Sequence, residues 1–351
     1  MSLDPVLVDA TAAAIERVQR RDGSIPWSTG GHLDPWNMTE AAMGLDAARR
    51  HPSAEAAYRW LATRQRPDGS WAASYRDGAI EDATLDANFC AYFAAGAWHH
   101  YLATRDLDFL AFCWPFVDRA MGFVLRLQMA TGPIAWARDA SYRPWPGALL
   151  TSSSCIHLSI GAALDAAAEL GFERLEWELA RSSLASAVAR GPQGFEAKER
   201  FSMDWYYPVL GGVLTDAGAR AHLAARWDEF VIEGRGARCV SDRPWVTTGE
   251  TCELVLALDA AGERERAIEM FAWVQHLRLE SGDYWTGATW PEDVVWPRET
   301  TTWGAGSALL AADALDGTSA TSRFFHPMRL NTRSEPVAET SANAPDPIAR
   351  R

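Results

Sequence analysis

The chain has 351 residues and carries 33 Lys+Arg against 46 Asp+Glu, a formal net charge of −13. A hydrophobic share of 48% beside 23% charged residues belongs to a globular chain and excludes bulk disorder. The acidic balance argues against a nucleic-acid binder, which needs a basic face to displace counterions, and no apolar run approaches the roughly 18 residues of a membrane span.

The opening stretch, MSLDPVLVDA, lacks the basic-then-apolar layout of a secretory signal. Five cysteines (Cys90, Cys113, Cys155, Cys239, Cys252) form no CxxC and no metal-finger spacing, and four of them read as small buried hydrophobes. A reducing cytoplasm is the expected compartment. No metal site and no cofactor are indicated. The 17 tryptophans are unusual, because many fall in polar loops beside acidic residues, where core packing does not explain them.

Amphipathic helices are predicted over about 5–20, 53–66, 107–129, 173–190, 218–230 and 263–279, with apolar residues at helical spacing. Phe109, Phe112, Phe116, Met121, Val124 and Leu127 show the pattern. Each is followed by a shorter, more apolar helix with a polar start, near Asn37, Asp86, Ser152, Asp204, Gly249 and Glu299 in turn. Four of the amphipathic helices end in a Gln, then a Gly, then a Trp: VQRRDGSIPW from Val18, RQRPDGSW from Arg64, LQMATGPIAW from Leu127 and VQHLRLESGDYW from Val274. Gly suits such a helix stop because it enters the left-handed region at low cost. Long Trp- and Asp-rich loops alternate with tight links such as HPS at His51, and short links make antiparallel neighbours. The expectation is an all-α (α/α)6 toroid of six helical hairpins over residues 1–316, with the apolar helices inside and the long loops on one face. Residues 317–351 read as a flexible C-terminal tail.

The loop-rich rim would gather Glu40, Asp86, Asp204, Glu250 and Glu299. Capping explains any single acidic helix start, since it satisfies free backbone N–H groups and the helix dipole. Several carboxylates around one pocket repel each other unless they bind something polyhydroxylated, cationic or proton-exchanging. Indoles beside them offer flat apolar faces with polar edges, suited to sugar rings or to isoprenoid cations. The substrate-binding candidates are Trp36, Asp86, Asn88, Trp136, Arg138, Asp204, Trp205, Arg243, Trp245, Glu250, Trp285, Trp290 and Trp303.

The stretch Thr84 to Ala120, TLDANFCAYFAAGAWHHYLATRDLDFLAFCWPFVDRA, resembles the second-hairpin region of six-hairpin glycosidases of the glucoamylase and glycogen-debranching type. That resemblance implies a carbohydrate-active enzyme hydrolysing a glycosidic bond of a small or conjugated sugar through a carboxylic acid and a carboxylate. It also implies an acid in the loop after the fifth helix, matched by Asp139, and a base after the eleventh, matched by Glu299 with Glu292 beside it. QRPDGSW also resembles the repeat of terpenoid cyclases and protein prenyltransferase β subunits, which use a related α-toroid. An isoprenoid-handling enzyme is therefore the alternative, although no D-x-D-D acid and no Asp, Cys and His zinc set stand out. A further alternative is a catalytically inactive sugar-binding ring. The expected partner is a small-molecule substrate; the oligomeric state is not legible.

Overall fold

The computed structural model describes residues 4–139 and 141–326. Six helices form an inner ring: α2 (Pro35–Ala47), α4 (Ala87–Thr104), α6 (Leu150–Glu169), α8 (Ser202–Leu210), α11 (Thr248–Ala260) and α13 (Thr302–Asp316). Each packs on the next, and α13 packs on α2, which closes the circle. Outside them run α1 (Pro5–Val18), α3 (His51–Arg64), α5 (Leu107–Leu125), α7 (Leu175–Ala189), α9 (Asp216–Ala225) and α12 (Arg264–Val274), with a short α10 (Trp227–Phe230). The fold is the expected (α/α)6 toroid.

Sequence explains which helices go inside. In α11 every residue from Thr248 to Asp259 is buried, so the helix needs apolar or hydrogen-bonded side chains all round. The seam between α2 and α13 is drawn close by two glycines. A Cβ on Gly44 would lie 2.7 Å from the Cα of Gly306, so neither position admits a side chain without moving backbone.

The Gln–Gly–Trp loops prove to be ties between neighbouring hairpins. The amide nitrogen of Gln19 donates to its own loop at Gly23 O (3.0 Å) and to the next hairpin at Ser53 O (2.8 Å). Gln65 does the same to Gly69 O (3.1 Å) and Phe116 O (2.8 Å), and Gln128 to Gly132 O (3.0 Å) and Ala180 O (2.9 Å). Each Gln stands at or near its helix end, and the Gly four residues later turns the chain flush against the neighbouring outer helix. The fourth copy departs from this: Gln275 begins a short 3-10 turn (Gln275–Leu277) and bonds back to Phe271 O at 3.0 Å.

Short strands staple the loops together. β1 (Ser74–Arg76) pairs antiparallel with β2 (Ala79–Asp82) inside the second loop. β3 (Leu85–Asp86) pairs with β4 (Ala137–Arg138), joining the second loop to the third. β5 (Val231–Ile232) pairs with β6 (Gly236–Ala237), and β7 (Trp245–Thr247) pairs with β8 (Gly287–Thr289), joining the fifth loop to the sixth. No alternating pattern marked these strands, because two to four residues are too few to show one.

Ordered packing continues past the expected start of the tail. Phe324 and Phe325 are buried, Phe324 sits edge-on to His99 with centroids 5.2 Å apart, and His326 Nε2 lies 2.8 Å from an Asp259 carboxylate oxygen. Residues 317–326 therefore pack against the ring, and 327–351 lie outside the described residues. No helix among the described residues is long and apolar enough to cross a membrane.

Candidate active site

The inner helices all begin on the loop-rich face, so their first turns and caps line its centre. Asp34 caps α2, directly before Pro35 at the first helical position. Its two carboxylate oxygens accept from Asn37, one from the backbone N–H at 2.8 Å and the other from the side-chain amide at 2.5 Å. Asp86 caps α4, with Oδ1 accepting the N–H groups of Asn88 (2.8 Å) and Phe89 (3.1 Å). Both aspartates open onto a cleft of about 580 Å³ between the first three loops, walled also by His32, Phe89 and Trp136. Burial raises the pKa of each, that of Asp86 to about 7, with the nearby charge of Asp34 adding to the effect at Asp86.

An aromatic chain leads away from the cleft. His32 stacks on Trp27 (5.9 Å between centroids), Trp27 on Trp303 (5.6 Å), Trp303 meets Trp36 edge-on (6.2 Å), and Trp36 stacks on Tyr92 (5.1 Å). Glu299 is held at the start of this chain: the Trp27 indole N–H donates to one of its oxygens (3.0 Å) and the Ser28 hydroxyl to the other (2.7 Å). At the far end the Tyr92 hydroxyl donates to Glu40 at 3.0 Å. Below it, Glu253 accepts from Tyr206 and, at 2.9 Å, from Tyr207. Burial pushes Glu40 to about 7 and Glu253 well above the usual carboxylate range, with the nearby charge of Glu40 adding to the effect at Glu253.

Several buried polar atoms of the first turns and the third loop have no partner among the described residues: Asn88 Oδ1, Trp136 Nε1 and Glu250 Oε2. An unmet buried donor or acceptor costs about 1–3 kcal/mol, and a polyhydroxylated ligand supplies both kinds of partner.

The remaining sequence candidates fall in different places. Asp139 sits in a turn of the third loop, its Oδ1 accepting the N–H groups of Ser141 (2.8 Å) and Arg143 (3.0 Å), with the Arg143 guanidinium 3.0 Å from Oδ2. The Arg143 N–H leads in holding its pKa below the usual range, which keeps it ionised. Glu292 and Arg243 are exposed. Asp204 is buried and accepts from the Thr151 N–H (3.2 Å) and hydroxyl. Trp205 belongs to the core: it is 1% exposed, stacks on Phe230 (5.2 Å) and donates to His222 O, because α8 turns that face toward α9 and α10. Arg138 lies over Phe123 (5.7 Å), Arg235 lies over Trp290 (4.2 Å), Trp285 is half-buried, and Trp245 donates to Trp296 O (2.7 Å).

Sequence reasoning missed Asp34 and left His32 without a role. The signal for Asp34 was the Asp-Pro pair at a helix start, which reads as a cap and conceals its place in the cleft wall. Among the described residues no group of three or more His, Cys, Asp or Glu side chains is placed to hold a metal ion.

A closed ring of six helical hairpins is a fold this chain shares with solved glycosidases. A solved glycosidase matches 89% of this chain and 96% of its own with a TM-score of 0.73 at 15% identity. An α-amylase from Clostridium perfringens matches at 0.64 and 9% identity, and a D-mannose isomerase at 0.61 and 9%, each over 88% of this chain and over 97% and 96% of their own. At those identities the likeness is one of fold. No family model matches the chain.

A curated relative identifies the family. The chain is 49% identical over 323 residues to the MMP endo-(1,4)-3-O-methyl-alpha-D-mannosidase of Mycolicibacterium hassiacum, covering 92% of this chain and 90% of that protein. The chain belongs to that mannosidase's family and is a glycoside hydrolase-like enzyme.

Proposed function

We propose that the protein cleaves internal α-(1→4) bonds of a mannose chain carrying 3-O-methyl groups, rather than a small conjugated sugar, with Asp86 as general acid and Glu299 as general base. The observation that carries the acid assignment is the cleft itself. It holds a half-buried carboxyl whose pKa is raised to about 7, at a helix cap that fixes its orientation and beside an indole able to stack a sugar ring. A general acid must keep its proton at the working pH. Asp86 meets that requirement, whereas the turn around Asp139 stabilises the ionised form.

In this scheme the Asp86 carboxyl gives its proton to the glycosidic oxygen as the C1–O bond breaks. Glu299, its oxygens fixed by Trp27 and Ser28, takes a proton from the attacking water. Two carboxyl groups thus exchange one proton each per turnover and end as they began after one proton passes back through solvent. Support for the substrate class comes from the relative's stated activity and from the unmet polar atoms of the first turns.

The test compares wild type with Asp86→Asn, Glu299→Gln and Asp139→Asn on α-(1→4)-linked 3-O-methylmannose oligosaccharides, with products read by mass spectrometry. Asn caps a helix as well as Asp, so Asp86→Asn preserves α4 and removes only the proton. Losses of about 100-fold or more in kcat for Asp86→Asn and Glu299→Gln, against less than about 10-fold for Asp139→Asn, are expected from typical acid–base contributions. An inactive Asp139→Asn beside an active Asp86→Asn transfers the acid role to Asp139. Absence of turnover by wild type removes the proposal.

A further inference from the structure

The third loop exposes two large aromatic side chains that the cleft does not enclose. Trp145 is 43% and Tyr142 46% exposed, in a loop whose other indole, Trp136, forms a cleft wall. Exposed aromatics on a wandering loop would mean little, but here both are fixed. Trp145 packs against Trp136 with centroids 5.2 Å apart, its backbone N–H donates to Ala137 O (2.7 Å), and Pro144 and Pro146 flank it. Tyr142 has φ +63°, a left-handed backbone that costs a non-glycine residue energy. The Asp139 turn holds it there: Tyr142 N–H donates to Asp139 O (2.9 Å), and the two amides flanking Tyr142 bond the Asp139 carboxylate. From the second loop, Arg66 donates to the Tyr142 hydroxyl (2.6 Å) and lies 5.6 Å from its ring centroid.

A strained backbone braced from two loops, spent on presenting rings to solvent, indicates a ligand for those rings. We infer that Tyr142 and Trp145 form an outer subsite, a ledge continuous with the Trp136 wall, which stacks sugar units of the substrate chain beyond those inside the cleft. The inference rests on the proposed reading of a methylated mannose chain as substrate. A 3-O-methyl ether adds apolar surface and removes a hydroxyl donor, which suits an indole or phenol face better than a carboxylate-lined pocket. The −13 net charge makes an anionic occupant unfavourable, and a neutral saccharide is indifferent to it.

The experiment measures KM and kcat for wild type, Trp145→Ala, Trp145→Phe and Tyr142→Ala on methylmannose oligosaccharides of increasing length. Intrinsic fluorescence titration of the same oligosaccharides is run alongside. The ledge predicts that wild-type KM falls as the chain lengthens. Trp145→Ala and Tyr142→Ala should lose that gain, about 10-fold in KM for the longest substrate, with kcat and the shortest substrate unchanged. Trp145→Phe should keep part of it. A KM unaltered at every length overturns the inference, and so does an equal loss at every length, which would mark the ledge as mere support for Trp136. If wild type cleaves none of the oligosaccharides, the catalytic proposal fails and the titration decides alone. Binding by wild type that is weakened in Trp145→Ala supports the ledge, and no binding by wild type overturns it.

Discussion

The indole of Trp27 donates to the carboxylate of Glu299 across 272 residues of sequence, joining the first loop to the sixth where the ring closes. The same indole stacks on Trp303, so one side chain both packs the seam and orients a candidate catalytic group. Trp27→Phe keeps an aromatic ring on Trp303 and removes only the N–H and part of the packing. It should cost about 1–2 kcal/mol of stability and lower kcat about 10-fold with KM within twofold. Urea unfolding and steady-state kinetics read the two effects separately. A full stability loss with unaltered kcat would detach Trp27 from catalysis.

Asp86 ties activity to pH in a definite direction. With its pKa raised to about 7 by burial, the carboxyl is protonated, and competent as an acid, below that pH. The value of kcat/KM should therefore fall about 10-fold per unit of pH once the medium is more alkaline than about 7. Had the acid been Asp139, whose pKa is held below the ordinary range, the fall would begin in the acidic region instead. A profile of kcat/KM from pH 4 to 9 discriminates between them.

The six-hairpin ring was legible in sequence because each piece of evidence for it is local, and the Gln–Gly–Trp loops show why. Gly69 has φ +94°, and a Cβ there would lie 2.0 Å from the Arg119 carbonyl oxygen of α5. Gly69→Ala should destabilise by more than about 2 kcal/mol, through backbone strain and a clash with main chain that cannot move aside. Gln65→Ala, which leaves the Gly69 and Phe116 carbonyls without that donor, should cost about 1–2 kcal/mol. Thermal unfolding of both variants checks the order. The fate of the motif's Trp was not legible, because what decides it is the neighbouring loop. Trp71 is 1% exposed and donates to Leu61 O, whereas Trp136, in the same motif, walls the cleft. The surroundings of Asp139 were not legible for a related reason. Its position in chain order matched a catalytic loop, but the backbone amides of Ser141 and Arg143 fold its carboxylate into a turn.

Glu40 gives a prediction about stability that depends on a buried proton. Its carboxylate accepts from the Ser307 hydroxyl (2.7 Å) and the Tyr92 hydroxyl, and burial lifts its pKa from 4.5 to about 7. Between those two values the folded chain keeps a proton that the unfolded chain has released. The contribution is thus full below about 4.5 and is lost as pH climbs to 7. Asp86 acts in the same sense. His99 and His157 oppose it: burial lowers both to about 4, so the unfolded chain takes up protons below its ordinary histidine range and stability rises with pH there. The wild-type curve mixes these effects, and the difference between wild type and Glu40→Gln isolates one. A glutamine fills the same volume, still offers an oxygen to Tyr92 and can donate its amide to Ser307, but it has no proton to lose. Urea unfolding at pH 5 and pH 8 should show Glu40→Gln near or below wild type at the lower pH, gaining on wild type by more than about 1 kcal/mol at the higher. Parallel stabilities at both values would mean that Glu40 is ionised inside the ring, and that Tyr92 and Ser307 solvate a charge at the foot of the aromatic chain.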